Sequence, residues 1–206
     1  SGGTLGAQAA MLISESLNLG GLIKGEGYIL KAQGYEVIDL GDDMYTQGKP
    51  HPMIDPEVRI NKIRQYARQE ETGVILLDVV LGYGCHKDMA NALVPVIEEE
   101  LALAKEEKRE LYFVATVVGT SKDPQDYDQA VETLKSAGVM VQSSNAKAVQ
   151  LALKLKGIDM QETDKGFEEY ALPLQEVPEI SSNIMELLNT KPRIINVGVE
   201  SFNDSI

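Results

Sequence analysis

The chain has 206 residues, 43% of them apolar, which is enough to bury the core of one main domain. Its 19 basic against 32 acidic side chains leave a net charge of -13, which repels phosphate backbones and anionic membrane surfaces and argues against nucleic acid or membrane as a partner. A single cysteine, Cys85, excludes an internal disulfide and a thiolate metal centre, and no apolar run reaches the roughly 20 residues of a membrane-spanning helix, so a cytoplasmic setting is expected.

In chain order, SGGTLGAQAAMLISESL reads as the loop and helix that normally follow a strand, yet no strand stands before Ser1. The expectation is a fragment cut at both ends, with its first strand missing. Four apolar runs then predict buried strands: EVIDLG at 36–41, GVILLDVVLG at 73–82, LYFVATVVG at 111–119 and GVMVQSS at 138–144. Being nearly continuous in Val, Ile and Leu rather than alternating, they suit a parallel sheet covered on both faces by helices. The intervening segments agree. Asp55 and Pro56 form an N-cap and first-position pair, and the same pair recurs at Asp123 and Pro124. Met89, Leu93, Val96, Ile97 and Leu101 recur at helical spacing, with Pro95 expected to bend that helix. A last helix follows the fourth strand, capped by Ser144 or Asn145 and stopped at Gly157.

Residues 1–157 therefore make an α/β domain with a parallel sheet, and residues 158–206 an acidic linker and the start of a further α/β unit. The apolar run RIINVGV near the end is expected to dock beside the sheet, with the vacant first-strand place as one position for it. An open sheet edge there also favours pairing with another copy, so a homo-oligomer would carry no biological meaning by itself.

In an open parallel sheet every strand's carboxyl end faces one rim, and ligands bind in the crevice there. SGGT at the head of the first helix, residues 41–55, residues 82–88, Gly119-Thr120-Ser121 and Ser143-Ser144-Asn145 all map to that rim. At a helix start, Ser1, Gly2, Gly3 and Thr4 offer unpaired N–H groups and hydroxyls suited to a phosphate or carboxylate. The plain alternative is a helix cap. Gly82 and Gly84 would allow close backbone approach to a ligand, and Thr120 adds a further donor.

The chain's two histidines, His51 and His86, both fall in rim loops, where imidazole could move a proton or hold an anionic substrate. Loop-stiffening hydrogen bonds are the competing role, above all for His51 between Pro50 and Pro52. Asp42, Asp43, Asp55, Asp78 and Asp88 have no metal-ligand spacing, and no metal site is expected. Asp78 interrupts an apolar run and needs a partner, an arginine or backbone group being the plain answer. Cys85 beside His86 lacks a third orienting group, which argues against a thiol nucleophile.

SGGTLGAQA, then IDLGDD, GKPHPMIDP and VILLDVVLGYGCH, together resemble the FdrA family, which is similar to the ligase domain of the succinyl-CoA synthetase α subunit. The resemblance runs from Ser1 to about Gly157, with INVGVESF resembling the continuation into a further domain. It implies a flavodoxin-like domain whose first helix points its positive end at an anionic group in transfer. The synthetases carry a phosphorylated histidine in a GHAG segment and a glutamate in a GEIGG loop. Here the corresponding stretches read VVGTSKDPQDYDQ and Val80-Leu81-Gly82-Tyr83-Gly84, so the phosphohistidine relay is lost.

Three functions follow from the resemblance. The first is an enzyme subunit transferring an acyl or carbamoyl group, with oxamate carbamoyltransfer in purine-nitrogen catabolism as the specific form. Its small carboxylate and its acyl or carbamoyl phosphate would sit on the rim, beside other subunits of the same enzyme. The second is a component of an acyl-CoA synthetase using another nucleophile, with CoA or nucleotide held by domains outside this fragment. The third is a non-catalytic regulatory or assembly module, since fold does not imply function.

Overall fold

A computed structural model gives the fold, and the structure describes residues 3–22, 24–160 and 181–191. The chain divides into two compact units, Ser1–Glu162 and Thr163–Ile206. In the first, helix α1 (Gly3–Ser16) leads into a two-stranded hairpin, β1 (Tyr28–Ala32) and β2 (Tyr35–Ile38). The short helix α2 (Asp43–Thr46) and α3 (Glu57–Ala67) follow, then β3 (Val74–Val80), α4 (Met89–Glu106), β4 (Tyr112–Val118), α5 (Tyr127–Ser136), β5 (Met140–Gln142) and α6 (Asn145–Leu155). The second unit contributes α7 (Ser182–Asn189).

β3, β4 and β5 form a parallel sheet in that order. Alternation along β3 sends Ile75, Leu77 and Val79 into one apolar cluster with Ile63 of α3, Leu93 and Ile97 of α4 and Leu134 of α5. Leu76 points the other way, into a second cluster built from Ala9, Ala10 and Ile13 of α1, Leu30 of β1 and Val149 and Leu153 of α6. The sheet is therefore covered on both faces, as its unbroken apolar runs require. Fully burying a Leu, Ile or Phe contributes about 1.5–3 kcal/mol, so the two clusters are the main source of stability.

One strand departs from expectation. EVIDLG at 36–41 does not join the parallel sheet: β2 pairs antiparallel with β1, Ala32 opposite Tyr35, and every residue of β2 is half-buried. The turn between them is Gln33-Gly34, both at positive φ (50° and 82°), the geometry that matches hairpin twist. Tyr, Lys and Glu make these strands half-polar, which suits a hairpin with one wet face. Tyr66 of α3 lies beside Glu36 of β2, and burial first, then Glu36, pushes its phenol up to about 12.

The helix caps agree with expectation at some positions and differ at others. Ser144 caps α6 and Asp88 caps α4, accepting from Lys147 N–H (3.3 Å) and Asn91 N–H (3.1 Å). At the first Asp-Pro pair, Asp55 accepts from Glu57 N–H at 2.9 Å, but the N-cap position of α3 is Pro56 rather than Asp55, which lies two residues before the helix. At the second Asp-Pro pair the cap is Asp126 rather than Asp123, whose carboxylate instead accepts the Thr120 amide at 2.6 Å and closes a turn. Asp78 lies near an arginine: the guanidinium of Arg59, only 4% exposed, donates to the Asp78 backbone carbonyl. Burial lowers the Arg59 pKa, while the Asp78 charge opposes that shift.

In the second unit α7 was not foreseen, because the segment reads as linker; Ser181 caps it, accepting from Ile184 N–H at 3.4 Å. The RIINVGV run lies outside the described residues. Among those described, no helix is long and apolar enough to cross a membrane.

Candidate functional site

Three loops meet at the carboxyl ends of β3 and β4. The ladder of these strands continues one step beyond their ends, where Leu81 N–H donates to the Val118 carbonyl at 2.8 Å. The next residues lie so close that a Cβ on Gly119 would stand 2.8 Å from Leu81 Cβ, so only glycine fits there. Gly82 takes a φ of +142°, which favours glycine, and turns the chain into the loop at 82–88.

That loop carries His86 and is bound to the loop carrying His51. Met53 is the link, since its N–H donates to His51 Nδ1 (3.1 Å) and its carbonyl accepts from His86 N–H (2.7 Å). His86 Nδ1 in turn accepts from Asp88 N–H at 3.0 Å. Both imidazoles therefore use Nδ1 as an acceptor, which fixes the neutral tautomer with its proton on Nε2. Nε2 of neither ring hydrogen-bonds to another described residue. Each ring keeps an Nε2–H donor, and acting as a base at Nε2 would first require a change of tautomer. The loop-stiffening bonds thus fall on Nδ1 of both rings.

The remaining expected residues are placed as follows. Gly84 lies exposed in the His86 loop, beside Tyr83, which is 90% exposed. Thr120 sits in the neighbouring loop, but its amide donates to Asp123 and its hydroxyl accepts from Lys122 N–H at 3.2 Å. Ser1 and Gly2 lie outside the described residues. Gly3 and Thr4 begin α1, where a Cβ on Gly3 would stand 3.2 Å from Asp39 Oδ2, so a carboxylate already faces the positive end of this helix. The α1 start is tied to α6 instead, Asn145 Nδ2 donating to the Leu5 carbonyl (3.0 Å) and to Gln8 Oε1 (2.8 Å). An open hollow of about 550 Å³ runs along α1 past Thr4, Gln8, Met11 and Glu15. Cys85, in the His86 loop, has its thiol pushed up by burial and then by the charge of Asp123, the opposite of what a nucleophilic thiolate needs.

Sequence reasoning missed Met53 and Gln125. Gln125 was invisible because its role is to bond backbone, which leaves no residue-type signature; a polar side chain between a proline and a helix cap was the one available signal.

A sheet of this kind, with its polar loops at the carboxyl rim, is that of a CoA-ligase domain: the family model described as CoA-ligase matches residues 1–155, and the chain belongs to that family. Among curated relatives, the uncharacterized protein YahF of Escherichia coli (strain K12) is 44% identical over 115 residues. That match covers 56% of this chain and 22% of YahF, so the chain spans well under half the length of this relative.

Proposed function

We propose that the chain is part of an enzyme that transfers an acyl or carbamoyl group between an acyl or carbamoyl phosphate and a small carboxylate-bearing substrate, with phosphate as the group released or taken up, and with the histidine rim holding the acceptor-rich end of the substrate. The observation that carries this reading is the pair of Nε2–H donors on His51 and His86, joined through the single residue Met53. The carboxylate and phosphate ends of such substrates present only acceptor oxygens, and preorganised donors stabilise charge that develops on such oxygens during transfer. The CoA-ligase membership supports the same substrate class. The β4–α5 loop, residues 119–126, has no histidine that could take a phosphoryl group, which favours direct transfer over a phosphohistidine relay. Oxamate carbamoyltransfer, the activity implied by the FdrA resemblance, is the specific form of this reading, in the cytoplasm and with partner subunits supplying the rest of the site.

A second reading, a carboxylate–CoA ligase component, is favoured by the family description itself. CoA and nucleotide would then be held by other domains. One assay set separates the two. The intact protein with its partner subunits is given oxamate and carbamoyl phosphate, or a carboxylate with CoA and ATP, and each is repeated with His51→Ala and His86→Ala. Carbamoyl turnover that falls by about 10²-fold on either substitution supports transfer at the rim. Thioester formation supports the ligase. Turnover of neither pair in the presence of the partners would leave a non-catalytic assembly module as the better account.

A further inference from the structure

Between the rim loops, one side chain bonds as a stretch of backbone would. Gln125 accepts from Gly82 N–H through Oε1 (2.9 Å) and donates through Nε2 to the carbonyls of Gly82 (2.9 Å) and His86 (3.1 Å). Its carboxamide pairs with Gly82 on both donor and acceptor, extending the β3–β4 ladder beyond Leu81 and Val118. It then reaches four residues further, to the carbonyl of the histidine itself. Gln125 is held firmly for this task, since Pro124 precedes it and Asp126, the cap of α5, follows.

We infer that Gln125 is a positioning residue that fixes the orientation of His86. The path is short. Gln125 anchors the His86 carbonyl, Met53 anchors its N–H, and with both backbone groups held the ring stays where Asp88 N–H can donate to Nδ1. The proton is thereby kept on Nε2. Because His86 N–H is bonded to the carbonyl of the residue that also bonds His51, the same carboxamide governs the spacing of the two donors. This inference rests on the reading of the rim as an anion site only for its consequence; the geometry it claims is testable without any ligand.

The test compares the wild-type chain with Gln125→Glu and Gln125→Ala. Gln125→Glu keeps the volume and the acceptor for Gly82 N–H but turns the Nε2 donor into an oxygen that repels two carbonyls. Residue-resolved amide exchange and the ring ¹⁵N signals of His86 are recorded for each. Expected are exchange at Gly82 faster by about ten-fold or more and a His86 ring that moves from one tautomer to a mixture, with exchange at Phe113 and Val114 in β4 unchanged. The tautomer is the readout that a merely structural contact would not move. Wild-type exchange at Gly82, or an unaltered His86 tautomer, in both variants overturns the inference. In a separate arm inorganic phosphate is added. A wild-type response at His86 that Gln125→Glu keeps undiminished also overturns it. No wild-type response to phosphate would count against the anion reading of the rim, and exchange and tautomer would still decide the role of Gln125.

Discussion

β3 and β4 are neighbours of the same length, seven residues each, and both are almost wholly apolar. β4 buries residues 113–117 completely, whereas β3 buries only Val79 and leaves the rest half-covered. Composition does not separate them, but pairing does. β4 has a strand on each side, and among the described residues β3 has one on a single side. The helices α3 and α6 reach both faces of β3, so what it lacks is cover along its edge. An apolar run thus makes a strand, while its neighbours decide how much of it leaves water.

The largest effect expected from this contrast comes from truncation in the two strands. Phe113→Ala, at a fully buried position of β4, should cost about 3–5 kcal/mol in chemical denaturation, and Leu76→Ala, on half-buried β3, about 1–2 kcal/mol. Equal losses would break the comparison. Next comes Arg59→Met, which removes the buried guanidinium beside Asp78 and should cost about 1–3 kcal/mol, with the loss concentrated in faster amide exchange along β3. A variant as stable as wild type would mean that Arg59 adds nothing to the strand.

Smaller effects lie at the periphery. The Tyr66 phenol is pushed up to about 12 by burial and Glu36, and a raised folded-state value stabilises the fold below the unfolded value and is lost as pH climbs through the folded one. Alkaline difference spectra should therefore lose one tyrosine titrating near 12 in Tyr66→Phe, leaving the others in place. The smallest effect belongs to the exposed pair of Arg64 and Glu99, 2.9 Å apart. The Arg64 hydrogen bond, opposed by a smaller effect of burial, holds the Glu99 carboxyl below the usual range. Its contribution is present above the unfolded carboxylate value and disappears as pH falls through the lowered one. Glu99→Gln should therefore lower Tm slightly at pH near 7 and not at all near pH 2, with salt shrinking the difference, as measured by thermal melts.

The strands at 74–80 and 112–118 were legible because short, nearly continuous apolar runs, each ended by a glycine (Gly82 and Gly119), admit few other structures. The hairpin was not, since Tyr28–Ala32 mixes Tyr, Lys and Ala and its turn is Gln-Gly rather than Asn-Gly. Taking EVIDLG as a parallel strand followed from its apolar letters alone, which say nothing about the partner that reaches it first. At the rim, residue chemistry marked His51 and His86, and the tautomer that sets what they can do depends on Met53 and Asp88 amides. Backbone amides are present at nearly every position, so no sequence pattern distinguishes the two that matter.

We propose above all that His51 and His86 form one donor pair for the carboxylate or phosphate oxygens of a substrate. The most direct measurement follows the ring ¹⁵N and ¹H signals of both histidines while carbamoyl phosphate is titrated into the intact protein at a pH where the rings are neutral. The account predicts saturable shifts at Nε2–H of both rings with a common midpoint, and loss of the response at either ring when the other is changed to alanine. Rings that titrate independently, or Nε2–H signals that stay fixed while the ligand binds elsewhere, would contradict it.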